Sequence, residues 1–125
     1  AAGKLIESMN DLAWLVQRRG QYDEAEKLAR EVIALKTNMF TAWDTLGVIL
    51  LKTGRQMEAE KALEKSISLK PDDPGTMLHI AELQVLKGDR KKANELFEAA
   101  DRRKAHLSAE GDKDFERVRR MIRGM

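Results

Sequence analysis

Gly20, Gly54 and Gly88 stand 34 residues apart, and each is followed five residues later by an alanine: Ala25, Ala59 and Ala93. A period of this length, kept twice without a slip, demands stacked supersecondary units, because one such unit cannot hide its own hydrophobic face. The stretches that carry it are RRGQYDEAEKLAREVIAL (18–35), KTGRQMEAEKALEKSISL (52–69) and LKGDRKKANELFEAADRR (86–103).

Each stretch reads as a helix, a stop and a second helix. Cations precede every glycine (Arg18 and Arg19, Lys52, Lys87), where they complement the negative end of a helix dipole. Glycine then takes the left-handed conformation that ends a helix without steric cost. After the glycines, apolar residues recur at helical spacing: Ala25, Leu28, Ala29, Val32 and Ile33; then Ala59, Ala62, Leu63 and Ile67, with Ser66 intruding; then Ala93, Leu96, Phe97 and Ala100. The recurring alanines let two backbones approach closely, so enlarging one to Leu should cost about 1–3 kcal/mol. Before the glycines run Met9, Leu12, Ala13 and Val16; Trp43, Leu46, Gly47 and Leu50; and Met77, Ile80 and Ala81, with polar Gln84 last. Pro71 stops one helix, Asp73 can cap the next with Pro74 in its first turn, and Asn38 is expected to cap the middle pair. With 35% charged and only 5% aromatic residues, and few Val, Thr or Tyr, the composition also favours helix over sheet. The fold class expected is all-α.

WDTLGVIL (43–50) followed by Gly54, Ala59, Leu63 and Pro71 resembles a tetratricopeptide repeat, whose pattern places Trp, Leu-Gly, Tyr, Gly, Ala, Phe, Ala and Pro through 34 residues. The middle stretch, 40–73, fits best, with Leu50 at the tyrosine place. The first, 6–39, has Met9 for Trp and Thr37 for Pro, and the third, 74–107, has Met77 for Trp and Ala105 for Pro. The resemblance covers residues 6–107 and implies a right-handed superhelix of three helix-turn-helix repeats in one domain. Asp101 and Arg103 replace the apolar pairs Ile33/Leu35 and Ile67/Leu69, so no regular fourth repeat follows. Instead GDKDFERVRRMIRGM places Phe115, Val118 and Ile122 on one face, and a capping helix is expected over 112–123, started by Asp112 or Asp114, with Arg117, Arg119, Arg120 and Arg123 on its solvated side.

Little in the chain supports chemistry. The histidines are His79 and His106, and His79-x-x-Glu82 is too small a set for a metal or a general base. The glycines fall one per repeat, not in a phosphate loop, and there is no cysteine. No enzyme activity, cofactor or metal is expected. The net charge of +2 singles out neither nucleic acid nor a membrane surface, and the longest apolar run, Leu46 to Leu51, is far too short to span a bilayer. The chain opens at AAGKL without a basic-then-apolar leader. Cytoplasm and periplasm both suit this composition.

The resemblance implies a scaffold that binds a peptide or a partner's helix in the concave groove lined by the first helix of each repeat. Carried onto this chain, the groove positions are Glu7, Asn10, Trp14 and Gln17; Thr41, Asp44, Val48, Leu51 and Lys52; and Leu78, Glu82 and Val85. Trp14 lies off the packing stripe, so it either anchors a partner's apolar side chain or packs within the protein. The Lys and Asn clamp by which some members hold a C-terminal carboxylate is missing, since its places carry Asn10, Trp14, Thr45, Gly75 and His79. Two further readings remain. One is self-assembly through an open N-terminal edge; the other is nucleic-acid association through the arginine-rich tail, disfavoured because no aromatic side chain is interleaved with the cations.

Overall fold

The computed structural model describes residues 2–125, and among these every regular element is a helix, with no strand. Seven α-helices follow in order: α1 (Ala2–Arg18), α2 (Tyr22–Leu35), α3 (Phe40–Lys52), α4 (Gln56–Leu69), α5 (Pro74–Leu86), α6 (Arg90–Asp101) and α7 (Ala109–Arg123), the last preceded by a 3-10 turn at Lys104–His106. Two compact units divide the chain, one ending at Lys70 and the other beginning at Pro71.

The bends fall at the three glycines. Gly20, Gly54 and Gly88 have φ of 79°, 79° and 80°, and no other described residue has positive φ. At the middle turn the Gly54 amide donates to the Leu51 carbonyl (3.2 Å) and the Arg55 amide to the Leu50 carbonyl (2.9 Å). The same pair of bonds closes the other two turns, which makes each a Schellman termination. A Cβ at any of these glycines would meet nothing within 4 Å, so the backbone dihedral alone calls for glycine there.

In the N-terminal unit α1 packs on α2, α2 on α3, and α3 on both α4 and α1. Ala25, Ala29 and Ala59 are completely buried, as close helix pairing requires. The tightest approach is at Gly47, where a Cβ would come within 2.5 Å of the Leu63 side chain. Ser66, the polar residue on an otherwise apolar stripe, is also fully buried and donates from Oγ to the Phe40 carbonyl at 2.9 Å, which satisfies it. The Trp43 indole donates to the Thr37 carbonyl at 2.7 Å and so ties the α2–α3 connection to α3. Asn38 does not cap α3: Met39 occupies that position and no side chain accepts from the first turn.

Leu12 departs from the expected packing stripe. It is 49% exposed, Leu15 is 53% exposed and Leu5 64%. One period on, Leu46 and Ile49 are 3% and 0% exposed. α1 and α2 pack on α3, whereas among the described residues no helix pair packs on α1 in the same way, and the same register positions are exposed there.

In the C-terminal unit α5 packs on α6, and α7 packs on both. Asp73 caps α5 through Oδ2, which accepts from the Thr76 amide at 3.0 Å, and Pro74 occupies the first turn, as read from the sequence. α7 begins three residues before the expected start. Its cap is Ser108, whose Oγ accepts from the Gly111 amide at 3.1 Å, rather than Asp112 or Asp114. Gly111 faces Leu107 so closely that a Cβ would lie 2.9 Å from it, which seats the first turn of α7. Phe115, Val118 and Ile122 are buried, and Phe115 stacks on Phe97 of α6 with ring centroids 4.6 Å apart.

Glycine substitutions separate the two kinds of constraint. Gly54→Ala should cost about 1–2 kcal/mol from backbone strain alone, and Gly54→Asn less, because asparagine tolerates the left-handed region. Gly47→Ala should cost about 1–3 kcal/mol by overpacking Leu63, and Gly47→Asn more. Urea unfolding of the four variants checks both expectations.

Candidate functional site

The N-terminal unit sets α1 beside α3, and nine of the groove positions lie on these two helices. Asn10 is 7% exposed, and its amide nitrogen donates to Thr41 Oγ1 at 3.2 Å, a direct link between the helices. The Asn10 Oδ1 atom is buried and has no hydrogen-bond partner, alone in this among the side-chain polar atoms of the described residues. Gln17 is 4% exposed, and Val48 and Leu51 are likewise buried. Trp14 and Asp44 are half-buried, while Glu7, Thr41 and Lys52 are exposed. Of these nine positions the three exposed ones, Glu7, Thr41 and Lys52, are polar, and Trp14 is a half-buried aromatic.

The three positions on α5 have a different setting. Leu78 is fully buried, Val85 is half-buried, and Glu82 is 7% exposed. Glu82 is paired with Arg117 of α7, whose Nη1 donates to Oε1 in a short contact and whose Nη2 lies 3.5 Å from Oε2. Arg117 Nη2 also donates to Asp114 at 3.1 Å, and the other Asp114 oxygen lies 3.2 Å from His79 Nε2. His79 and Glu82 thus form a four-membered polar network with Asp114 and Arg117 instead of a ligand set open to solvent.

This corrects the expected placement of Arg117 on a solvated face. A buried carboxylate at Glu82 is costly without a cation, so the α7 register brings Arg117 against it. Arg119 is also partly drawn in, with its guanidinium 5.0 Å from the Phe115 ring centroid and 6.0 Å from that of Phe97. A signal for the network exists in the sequence: His79-x-x-Glu82 and Asp114-x-x-Arg117 share one helical spacing, carry complementary groups, and stand 35 residues apart. Composition hides it, because each residue by itself reads as an ordinary surface charge.

Burial pushes the Asp114 carboxyl up, but hydrogen bonds and charge from His79 and Arg117 outweigh it and hold Asp114 below the usual carboxylate range. The folded pKa is depressed, so its stabilisation is present above the unfolded value and is lost as pH falls through the folded value. Amide exchange of α7, corrected for intrinsic rates, should stay protected above about pH 4 and lose protection below it. Asp114→Asn should flatten that dependence. Arg117→Ala leaves Glu82 buried without its cation and should destabilise the C-terminal unit by about 2–3 kcal/mol, measured by urea unfolding.

Two profiles described as Tetratricopeptide repeat match the chain, at residues 5–40 and 40–73. Over 89 residues, 71% of the chain, it is 30% identical to human Protein O-mannosyl-transferase TMTC1, of whose length it spans only 10%. Among solved structures it is similar to the type III secretion chaperone SycD of Yersinia enterocolitica in complex with a peptide of the translocator YopD. There the TM-score is 0.78 at 21% identity, covering 97% of this chain and 92% of that one. It is similar as well to PcrH, a Pseudomonas aeruginosa protein, in complex with the chaperone binding region of PopD, with a TM-score of 0.78 at 19% identity over 99% of this chain and 92% of that one. These likenesses agree with the helix pairs, the left-handed glycine turns and the 34-residue period already described. The chain belongs to the tetratricopeptide repeat family.

Proposed function

We propose that the chain is a protein-interaction scaffold that holds a partner's peptide segment along α1 and α3 and performs no chemistry on it. The observation that carries this reading is Asn10. Its carbonyl oxygen is buried without a partner, at a cost of about 1–3 kcal/mol for an unmatched polar group. χ2 of asparagine is soft, so the amide can turn toward a bound backbone N–H and recover that bond. Trp14 stands one turn further along α1 and supplies an aromatic contact for an apolar side chain. Glu7, Thr41, Asp44 and Lys52 form the polar rim, with Gln17, Val48 and Leu51 beneath. On α5, Leu78 and Glu82 are already enclosed or paired, which leaves Val85 as the position there with exposed surface. The bound segments of YopD and PopD in the similar structures support peptide recognition as the mode of action and leave the partner's identity to this chain's own side chains.

Selection of a displayed peptide library on the chain should yield binders whose affinity falls about tenfold in Trp14→Ala, the loss of one buried aromatic anchor. Asn10→Ala should weaken the same peptides while changing unfolding free energy by less than about 1 kcal/mol, because it removes an unmatched acceptor together with a matched donor. Binders indifferent to both substitutions would place recognition elsewhere.

A second reading rests on the open stripe of Leu5, Leu12 and Leu15. By register it is the face that receives a preceding helix pair, so further repeats or a second copy can stack there. Sedimentation velocity should then show concentration-dependent association that Leu12→Glu with Leu15→Glu abolishes. A monomer across the micromolar range would remove the second-copy form of this reading.

A further inference from the structure

The seam between α6 and α7 holds a cleft of 340 Å³ lined by Asn94, Phe97, Arg119, Ile122 and Arg123. The floor is apolar, from Phe97 and Ile122, and the rim carries two guanidinium groups and one amide. We infer that this cleft is a second docking site, separate from α1 and α3, for an acidic linear segment of a protein partner. A large apolar side chain enters the cleft, and flanking carboxylates pair with Arg119 and Arg123.

Charge argues for this occupant. From Arg117 to Arg123 there are four arginines and no carboxylate. Arg117 is committed to Glu82 and Asp114. Arg119 has one weak neighbour, Glu116 at 3.5 Å, an exposed pair of little worth. Among the described residues Arg120 and Arg123 have no ion-pair partner, and neither do Arg90 and Lys91, one turn before Asn94 on the facing helix. A cluster of this sign beside an apolar floor is complementary to acidic residues next to an aliphatic or aromatic one. Arg119 is also pre-positioned: its guanidinium already lies near the Phe97 and Phe115 rings before any ligand arrives, which lowers the ordering cost of binding. The volume matches one side chain with its flanking groups, near the lower end of ligand pockets, roughly 300–1,000 Å³.

The same cations could face phosphates, but the aromatic geometry favours protein. Single-stranded nucleic acid binds these surfaces by stacking bases on open aromatic faces. Phe97 and Phe115 cover each other at 4.6 Å between centroids, and Arg119 covers both. These contacts take up part of the ring surface that a stacked base would need.

The test is fluorescence anisotropy on the full chain with a fluorescein-labelled octapeptide, Gly-Glu-Glu-Leu-Phe-Glu-Glu-Gly, at low salt. Saturable binding is expected, weakened at least about tenfold by Arg123→Glu, an exposed position whose change leaves the core intact, as one charge reversal beside paired carboxylates would do. Asn94→Asp should weaken it in the same direction, and Trp14→Ala should leave it unchanged. A peptide with glutamines in place of the glutamates should not bind. Absence of binding, equal binding of the glutamine peptide, or indifference to Arg123→Glu overturns the inference. Loss in Trp14→Ala also overturns it, by moving the peptide to α1. A twelve-residue oligothymidylate that binds more tightly than the peptide and is lost in Arg123→Glu would assign the cleft to nucleic acid instead.

Discussion

A left-handed residue at Gly20, Gly54 and Gly88 turns each helix back onto the next, and the rest of the structure depends on those three dihedrals. The Schellman bonds they close satisfy the terminal carbonyls of α1, α3 and α5. With the reversal in place, the alanines five residues later fall where two helices cross, and their small side chains let the backbones close. Gly47 against Leu63 shows how little room is left. A larger side chain at the crossing would part the helices, and the apolar stripes on either side would lose contact together.

The two ends of the chain handle an uncovered helix face in opposite ways. At the C-terminal end α7 lies over α5 and α6, buries Phe115, Val118 and Ile122, and meets the polar residues of α5 with groups of complementary charge. The polar network favours one register for α7, because a slip would leave Glu82 buried without a cation. At the N-terminal end α1 keeps Leu5, Leu12 and Leu15 open to solvent. The unmatched Asn10 oxygen lies on this same helix, so α1 presents both exposed apolar area and an unfilled hydrogen bond. The two features lie on opposite faces of α1, the oxygen toward α3 and the leucines away from it, so each offers a separate gain to a partner.

Much of the fold was legible from period and residue size. The turns, the helix pairs, the Asp73 cap and the buried faces of α2, α4 and α6 follow from where glycine, alanine and aliphatic residues stand. Caps were less legible. Asn38 reads as a cap and is not one, and Ser108 is one although Asp112 and Asp114 have equal claims by residue type. Which of several capping residues is used depends on where the chain reaches the neighbouring helix, and for α7 that point is set by the contact of Leu107 with Gly111. Among the groove positions, residue type says nothing of whether a side chain faces solvent or another helix. Thr41 and Lys52 are exposed whereas Val48 and Leu51 are buried, and Glu82 is paired where it had been read as available.

The order of small and apolar side chains along 34 residues was enough to specify helix pairs with bends at three named glycines, because backbone dihedrals and helical periodicity are local properties. The fate of individual polar groups was settled by packing. Arg117 left the solvent for Glu82, Arg119 came to rest over two phenylalanine rings, and Asn10 was left with an unfilled bond. Each of those outcomes turns on which groups packing brings within reach of one another, and that is not a local property of the chain.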